Sequence, residues 1–171
     1  MMKSALLGLT LFGFSVPAVA ADGPNDSQIA HIAYTAGNID IAAAKQALAK
    51  SHNKAVRSFA QEMVRDHKAV NDKALALVKK LHVTPQENAT SGDLSKAAAA
   101  TLKRLSRLNG HAFDRAYAQN EVAYHRTVNG ALSSTLIPSA DNAELKALLK
   151  IGLTLFQEHQ AHAEHLARGL K

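Results

Sequence analysis

Phe59-Ala60-Gln61-Glu62-Met63-Val64-Arg65-Asp66-His67 lies in the longest clean helical pattern of the chain. Val56, Phe59, Ala60, Met63, His67, Val70, Ala74, Leu77 and Leu81 fall on one stripe roughly 100° wide, the width of a helix face that packs against a core. All are apolar except His67. An imidazole on the core line of a helix needs a partner, because an unpaired buried polar group is costly.

Three other segments repeat the pattern. A first helix is expected from about Asp26 to Ser51, with Asp26 or Ser27 as its cap. Its inner stripe runs Ile29, Ala33, Ala36, Asp40, Ala43, Ala44, Ala47. Asp40 interrupts it. The second helix runs from about Asn53 to His82, so a tight turn joins the two as an antiparallel hairpin. Counted outward from that turn, Asp40 and His67 come within one helical turn of the same height.

A loop is expected over Val83–Asp93, then a helical segment over Leu94–Leu108, stopped by Asn109-Gly110. The third long helix spans about His111–Ser133 and presents Asp114, Tyr117, Glu121 and His125 on one face. Ile137-Pro138-Ser139 reads as the next turn, and Asp141 with Glu144 as a capping-box variant opening the fourth helix. That helix runs to about Arg168 with the stripe Leu145, Leu148, Gly152, Leu155, His159, Ala163, Leu166, Leu170. His159 interrupts it, and His162 and His165 follow along one edge.

The expected fold class is therefore all-α: an antiparallel four-helix bundle with an extra short helix between helices two and three. The 171 residues suit one domain, residues 21–171. Met1-Met2-Lys3, the apolar run Ser4–Val16, Pro17 and the small-x-small Ala18-Val19-Ala20 read as a cleaved signal peptide over residues 1–20. The mature chain is then periplasmic or secreted.

Lys+Arg number 20 and Asp+Glu 14, a net charge of +6. These charges are scattered, so no nucleic-acid partner is expected. The one basic cluster, Lys96, Lys103, Arg104 and Arg107, is either a solvated face or a contact for an anionic membrane surface or an envelope protein. There is no cysteine, which removes thiolate ligands, disulfides and cysteine catalysis. No serine sits in a nucleophile elbow and no glycine-rich loop cradles phosphate. The chain does not read as an enzyme.

Each long helix thus carries ionisable residues where its period calls for an apolar one. Asp40, His67, Asp114, His125, His159 and His162 are the candidate metal ligands, and imidazole with carboxylate suits Zn, Fe or Cu. Two readings stand. In one, these residues hold a transition metal ion. In the other, Asp40 pairs with His67 and Asp114 with His159, as two buried ion pairs that fix helix register. A turn at Ile137–Ser139 sets Asp114 level with His159 and leaves His125 about 16 Å away along the helix. A single shared site requires His67 and His159 within about 10 Å, since imidazole–metal bonds are only about 2 Å long.

The motif Phe59-Ala60-Gln61-x-Met63-Val64-x-Asp66-His67 recurs with Gly110-x-Ala112-Phe113-Asp114-Arg115-Ala116-Tyr117, His125 and Leu153-x-x-Phe156-x-x-His159 in a known pattern. Together they resemble the bacterial family catalogued as domain of unknown function 4142, over the whole mature chain. The resemblance implies an exported, ferritin-like four-helix bundle, often linked to stress responses, with no established function. The family usually has Glu at the position of Asp40 and Pro at that of Thr154. Ferritin-like di-iron sites use Glu-x-x-His on two helices. This chain has only Glu121-x-x-x-His125 and Glu158-x-x-x-His162, so ferroxidase chemistry is not expected.

Overall fold

The computed structural model describes residues 23–170, and the expected signal peptide lies outside them. The described residues are mostly helical, with no strand among them. In chain order they form α1 (Asp26–Lys50), α2 (Lys54–Lys80), α3 (Ala89–Ser106), α4 (Gly110–Ala131), a π-helical turn (Leu132–Leu136), α5 (Ile137–Ser139) and α6 (Ala143–Gly169). None of the helices is long and apolar enough to cross a membrane.

The helix starts are set by asparagines. Asn25 caps α1 in a reciprocal box with Gln28, and Asn142 caps α6 by accepting from the Glu144 and Leu145 amides. Asp26, expected to cap α1, instead accepts from the backbone amides of Asp141 and Asn142, each at 2.9 Å. Its carboxylate ties the start of α1 to the start of α6. Asn88 caps α3 at Ala89, so that helix begins five residues before the expected Leu94.

Helix α1 packs on α2, α2 on α6, α6 on α4, and α4 back on α1, while α3 lies mainly along α1. The interior has two apolar clusters. One gathers Ala43, Ala47, Phe59, Met63, Phe113, Tyr117 and Leu166. The other gathers Ile29, Ile32, Leu132, Leu136, Leu149 and Phe156. On every one of the four long helices the change from one cluster to the other comes at a buried ionisable residue.

The expected turn at Ile137-Pro138-Ser139 is helical. Ser133 Oγ accepts no role in the turn's ladder but donates to the Asn129 and Gly130 carbonyls, and Ser134 Oγ donates to Gly130. These hydroxyls compete for the carbonyls that the following amides would take, and Pro138 has no amide to give. The helix widens there to i→i+5 bonding, with the Ile137 N–H bonded to the Leu132 carbonyl. Helical structure therefore continues to Ser139, and the hairpin turns over Ala140–Asn142. In α6 the expected stripe is buried at Leu145, Gly152, His159, Ala163, Leu166 and Leu170, but at two positions the next residue is the buried one: Leu149 and Phe156 are buried, Leu148 and Leu155 only partly.

Two glycines make opposite demands. A Cβ on Gly37 would fall on Oδ1 of Asn71 and within 2.9 Å of its Cγ. Asn71 is buried and held by a 3.0 Å bond to Asn38. A Cβ on Gly152 would meet only the Phe156 ring, at 3.5 Å. Gly37→Ala is expected to lower stability by about 1–3 kcal/mol through overpacking. Gly152→Ala should be neutral or raise it by up to about 1 kcal/mol. Chemical denaturation of the two variants checks the contrast.

Candidate metal centre

Between the two apolar clusters lies a layer made of Asp40 (α1), His67 (α2), Glu121 and His125 (α4) and His159 (α6), none more than 3 % exposed. The three imidazole rings stand in a nearly equilateral triangle. Centroid separations are 5.7 Å for His67–His125, 5.4 Å for His67–His159 and 5.5 Å for His125–His159. One nitrogen from each lies within 4.8 Å of the others, and so do single ligand atoms of Asp40, Glu121 and His125. Oδ2 of Asp40 is 3.4 Å from Nε2 of both His67 and His125.

Outer partners set the ring tautomers. His125 Nδ1 is 3.0 Å from the Glu121 carbonyl, to which it donates. That leaves Nε2 as a lone pair facing Asp40. His159 Nε2 is 3.1 Å from Oδ2 of Asp66. Donation there leaves Nδ1 as its free nitrogen. His125 Nε2, His159 Nδ1 and both nitrogens of His67 make no hydrogen bond, and the Asp40 carboxyl faces that of Glu121. Phe156 stacks on His67 at 4.6 Å with the planes 13° apart, fixing that ring from below.

Burial governs the charges. It raises Asp40 to about 7 and Glu121 well above the usual carboxylate value, the neighbouring Asp40 adding to the latter. It lowers His67 well below its usual value, His125 to about 4, and His159 less, because Asp66 opposes the shift. At neutral pH the imidazoles are thus uncharged, the state in which they ligate metals.

The sequence-derived candidates separate into three groups. Asp40 and His67 are level, as the first hairpin requires. His125 joins them and His159, against the expectation that it lies a long way off. The helical continuation to Ser139 moves the turn and brings His125 opposite His159. Asp114 is buried but sits about 16 Å along α4 from His125 at the helical rise. It pairs with neither His159 nor any member of the layer. His162 lies outside the layer, with Nδ1 2.8 Å from Oε2 of Glu62 and its ring edge-on to Phe59. The basic side chains of Lys96, Lys103, Arg104 and Arg107 are exposed on and just after α3.

Asp66 and Glu62 were not legible as site residues. They lie off the centre stripe of α2, on the flank that α6 covers, and with His159 they form a second, partly exposed cluster. Arg65 also bonds Asp66, which holds its carboxylate below the usual range. Glu121 was visible on the helix-three face, but only the fold shows it beside Asp40. A cavity of about 240 Å³ beneath α3 reaches Asp40 and Glu121. The Ala97 and Ala98 side chains that roof it are too short to fill it.

The pKa directions fix a sign for pH dependence in the metal-free protein. Asp40 binds its proton more tightly folded (about 7) than unfolded (3.8), so its contribution is full below about pH 4 and is lost as pH rises to about 7. His125, at about 4 folded and 6.5 unfolded, works oppositely, adding stability as pH rises between those values. Asp40→Asn removes the first effect and leaves the second. The variant is expected to gain on the wild type by on the order of 3 kcal/mol between pH 4 and pH 7. Urea unfolding at each pH measures the gap, and a flat or shrinking gap contradicts the assignment.

A family model described as a domain of unknown function, DUF4142, matches residues 14–166. No curated protein and no solved structure matches the chain. The matched span contains the whole polar layer and both hairpins that build it, and the chain belongs to the DUF4142 family.

Proposed function

We propose that this is an exported, ferritin-like bundle protein that binds one transition metal ion through His67, His125, His159 and Asp40, and that its role is to hold or buffer that ion. One observation carries the reading: three buried imidazoles bring one nitrogen each within 4.8 Å of the others, with unpartnered nitrogens on all three, and Asp40 lies 3.4 Å from two of them. Buried polar groups are almost always satisfied, so three imidazole nitrogens left unpaired side by side ask for a partner. A cation supplies it. Three nitrogens and a carboxylate oxygen match a four-coordinate Zn site, and imidazole also suits Cu and Fe.

His67, His125, His159 and Asp40 would hold the ion, each supplying one donor atom. Asp66 and the Glu121 carbonyl are the outer partners that aim His159 and His125. Four protein ligands complete a closed site, which favours retention of the ion over turnover. Asp40 must give up its proton, so affinity falls with falling pH. The circuit of four long helices with α3 outside it supports the ferritin-like description. The Lys3, Ser4–Val16 and Ala18-Val19-Ala20 pattern supports export.

Protein purified without a histidine tag should bind close to one equivalent of Zn(II) or Co(II) by elemental analysis and titration. His67→Ala, His125→Ala and His159→Ala should each abolish stoichiometric binding. Asp66→Asn should weaken it by about 10–100-fold, the usual effect of losing an outer partner. Wild-type unfolding free energy should rise with metal, by about 2.7 kcal/mol at a hundredfold excess over Kd. Unchanged binding in the three alanine variants would sink the proposal. Export is tested separately by the mass of the protein recovered outside the cytoplasm, expected to begin at Ala21.

A further inference from the structure

On the other side of the polar layer from the α1–α2 turn, the interior does not close. A cavity of about 370 Å³ lies among α1, α2, α4 and α6. Small residues create it: Ala33, Ala36 and Gly37 on α1, Ala74 on α2 and Gly152 on α6 all line the wall. No charged residue does. Its few polar groups are mostly committed. The Asn71 amide bonds Asn38, Thr127 donates to the Ala123 carbonyl, and the Thr135 hydroxyl meets Ser134. Water inside would find few of the two to four partners that a buried water needs.

The wall is not sealed. Thr90 at the start of α3 and Thr127, Ala131 and Thr135 along the other side are wall residues that are also exposed, so the mouth lies between α3 and α4. The volume is within the range of small-molecule pockets. Scaled from benzene in a cavity of about 150 Å³, it takes about fifteen non-hydrogen atoms. The absence of a cation on the wall disfavours a carboxylate, whose buried charge would have no partner.

We propose that this chamber is a binding site for an uncharged, mainly hydrocarbon molecule of about fifteen non-hydrogen atoms. The inference does not depend on metal binding at the polar layer. The two sites share a wall, however. Phe156 lines the chamber and also stacks on His67. A ligand in the chamber touches the ring that supports a candidate metal ligand.

The test uses the metal-free mature chain and N-phenyl-1-naphthylamine, an uncharged fluorophore of suitable size. Saturable binding near one per chain is expected. Decanol should displace the probe at least about tenfold more effectively than decanoate, since only the anion loses solvation without a partner. Ala33→Leu and Ala74→Leu narrow the chamber from different helices. Each should weaken binding by about tenfold or more while helix content and melting stay at or above wild type. Absence of saturable binding to the wild type overturns the proposal whatever the variants do. So does full-strength binding by both folded variants, which places the probe on the surface, or equal displacement by decanoate. If one variant fails to fold, the other and the wild-type competition still decide.

Discussion

Asp40, His67, Glu121, His125 and His159 share one buried layer of the interior. Ionised groups withdrawn from water cost several kcal/mol each unless they are paired. The metal-free protein meets this by keeping the imidazoles uncharged and by holding protons on the carboxyls, Asp40 up to about 7. The rest of the architecture is consistent with that constraint. Two apolar clusters flank the layer, Phe156 backs one ring, and bonds from Asp66 and the Glu121 carbonyl turn two others inward.

The proposed metal role would account for polar residues where an apolar core would be more stable. Leucine at these five positions would pack the layer and remove its desolvation penalty. A cation focus would be lost with it. On the proposed metal reading, a cation would displace the carboxyl proton of Asp40, so the burial that raises Asp40 would also set a pH threshold for binding. Access to Asp40 and Glu121 runs beneath α3, whose alanines leave room rather than fill it. Only Ser91 and Leu105 of that helix are buried, so its middle is lightly held.

Much of the fold was legible because helical periodicity is strong here. The stripe from Val56 to Leu81 gave α2, and the three-residue link before Lys54 made the α1–α2 hairpin and the Asp40–His67 juxtaposition unavoidable. The second hairpin was not legible, for a local reason. Ile137-Pro138-Ser139 reads as a turn, but Ser133, Ser134 and Pro138 widen the helix without ending it. That error moved His125 out of the site and Asp114 into it. Asp66 was missed because a wheel identifies the centre of a face, while His159 contacts α2 on its flank. Phe156, one residue past the expected Leu155, shows how little rotation separates a core position from an edge.

The central claim is that the three imidazoles and Asp40 share one cation. Anomalous diffraction from crystals of the mature protein grown with Zn(II), recorded on both sides of the zinc edge, addresses it directly. The account expects one strong peak inside the His67–His125–His159 triangle, at about 2.0–2.2 Å from a nitrogen of each and from an oxygen of Asp40. Zinc found only at the outer Glu62 and His162 pair, with the triangle holding water or nothing, would contradict it.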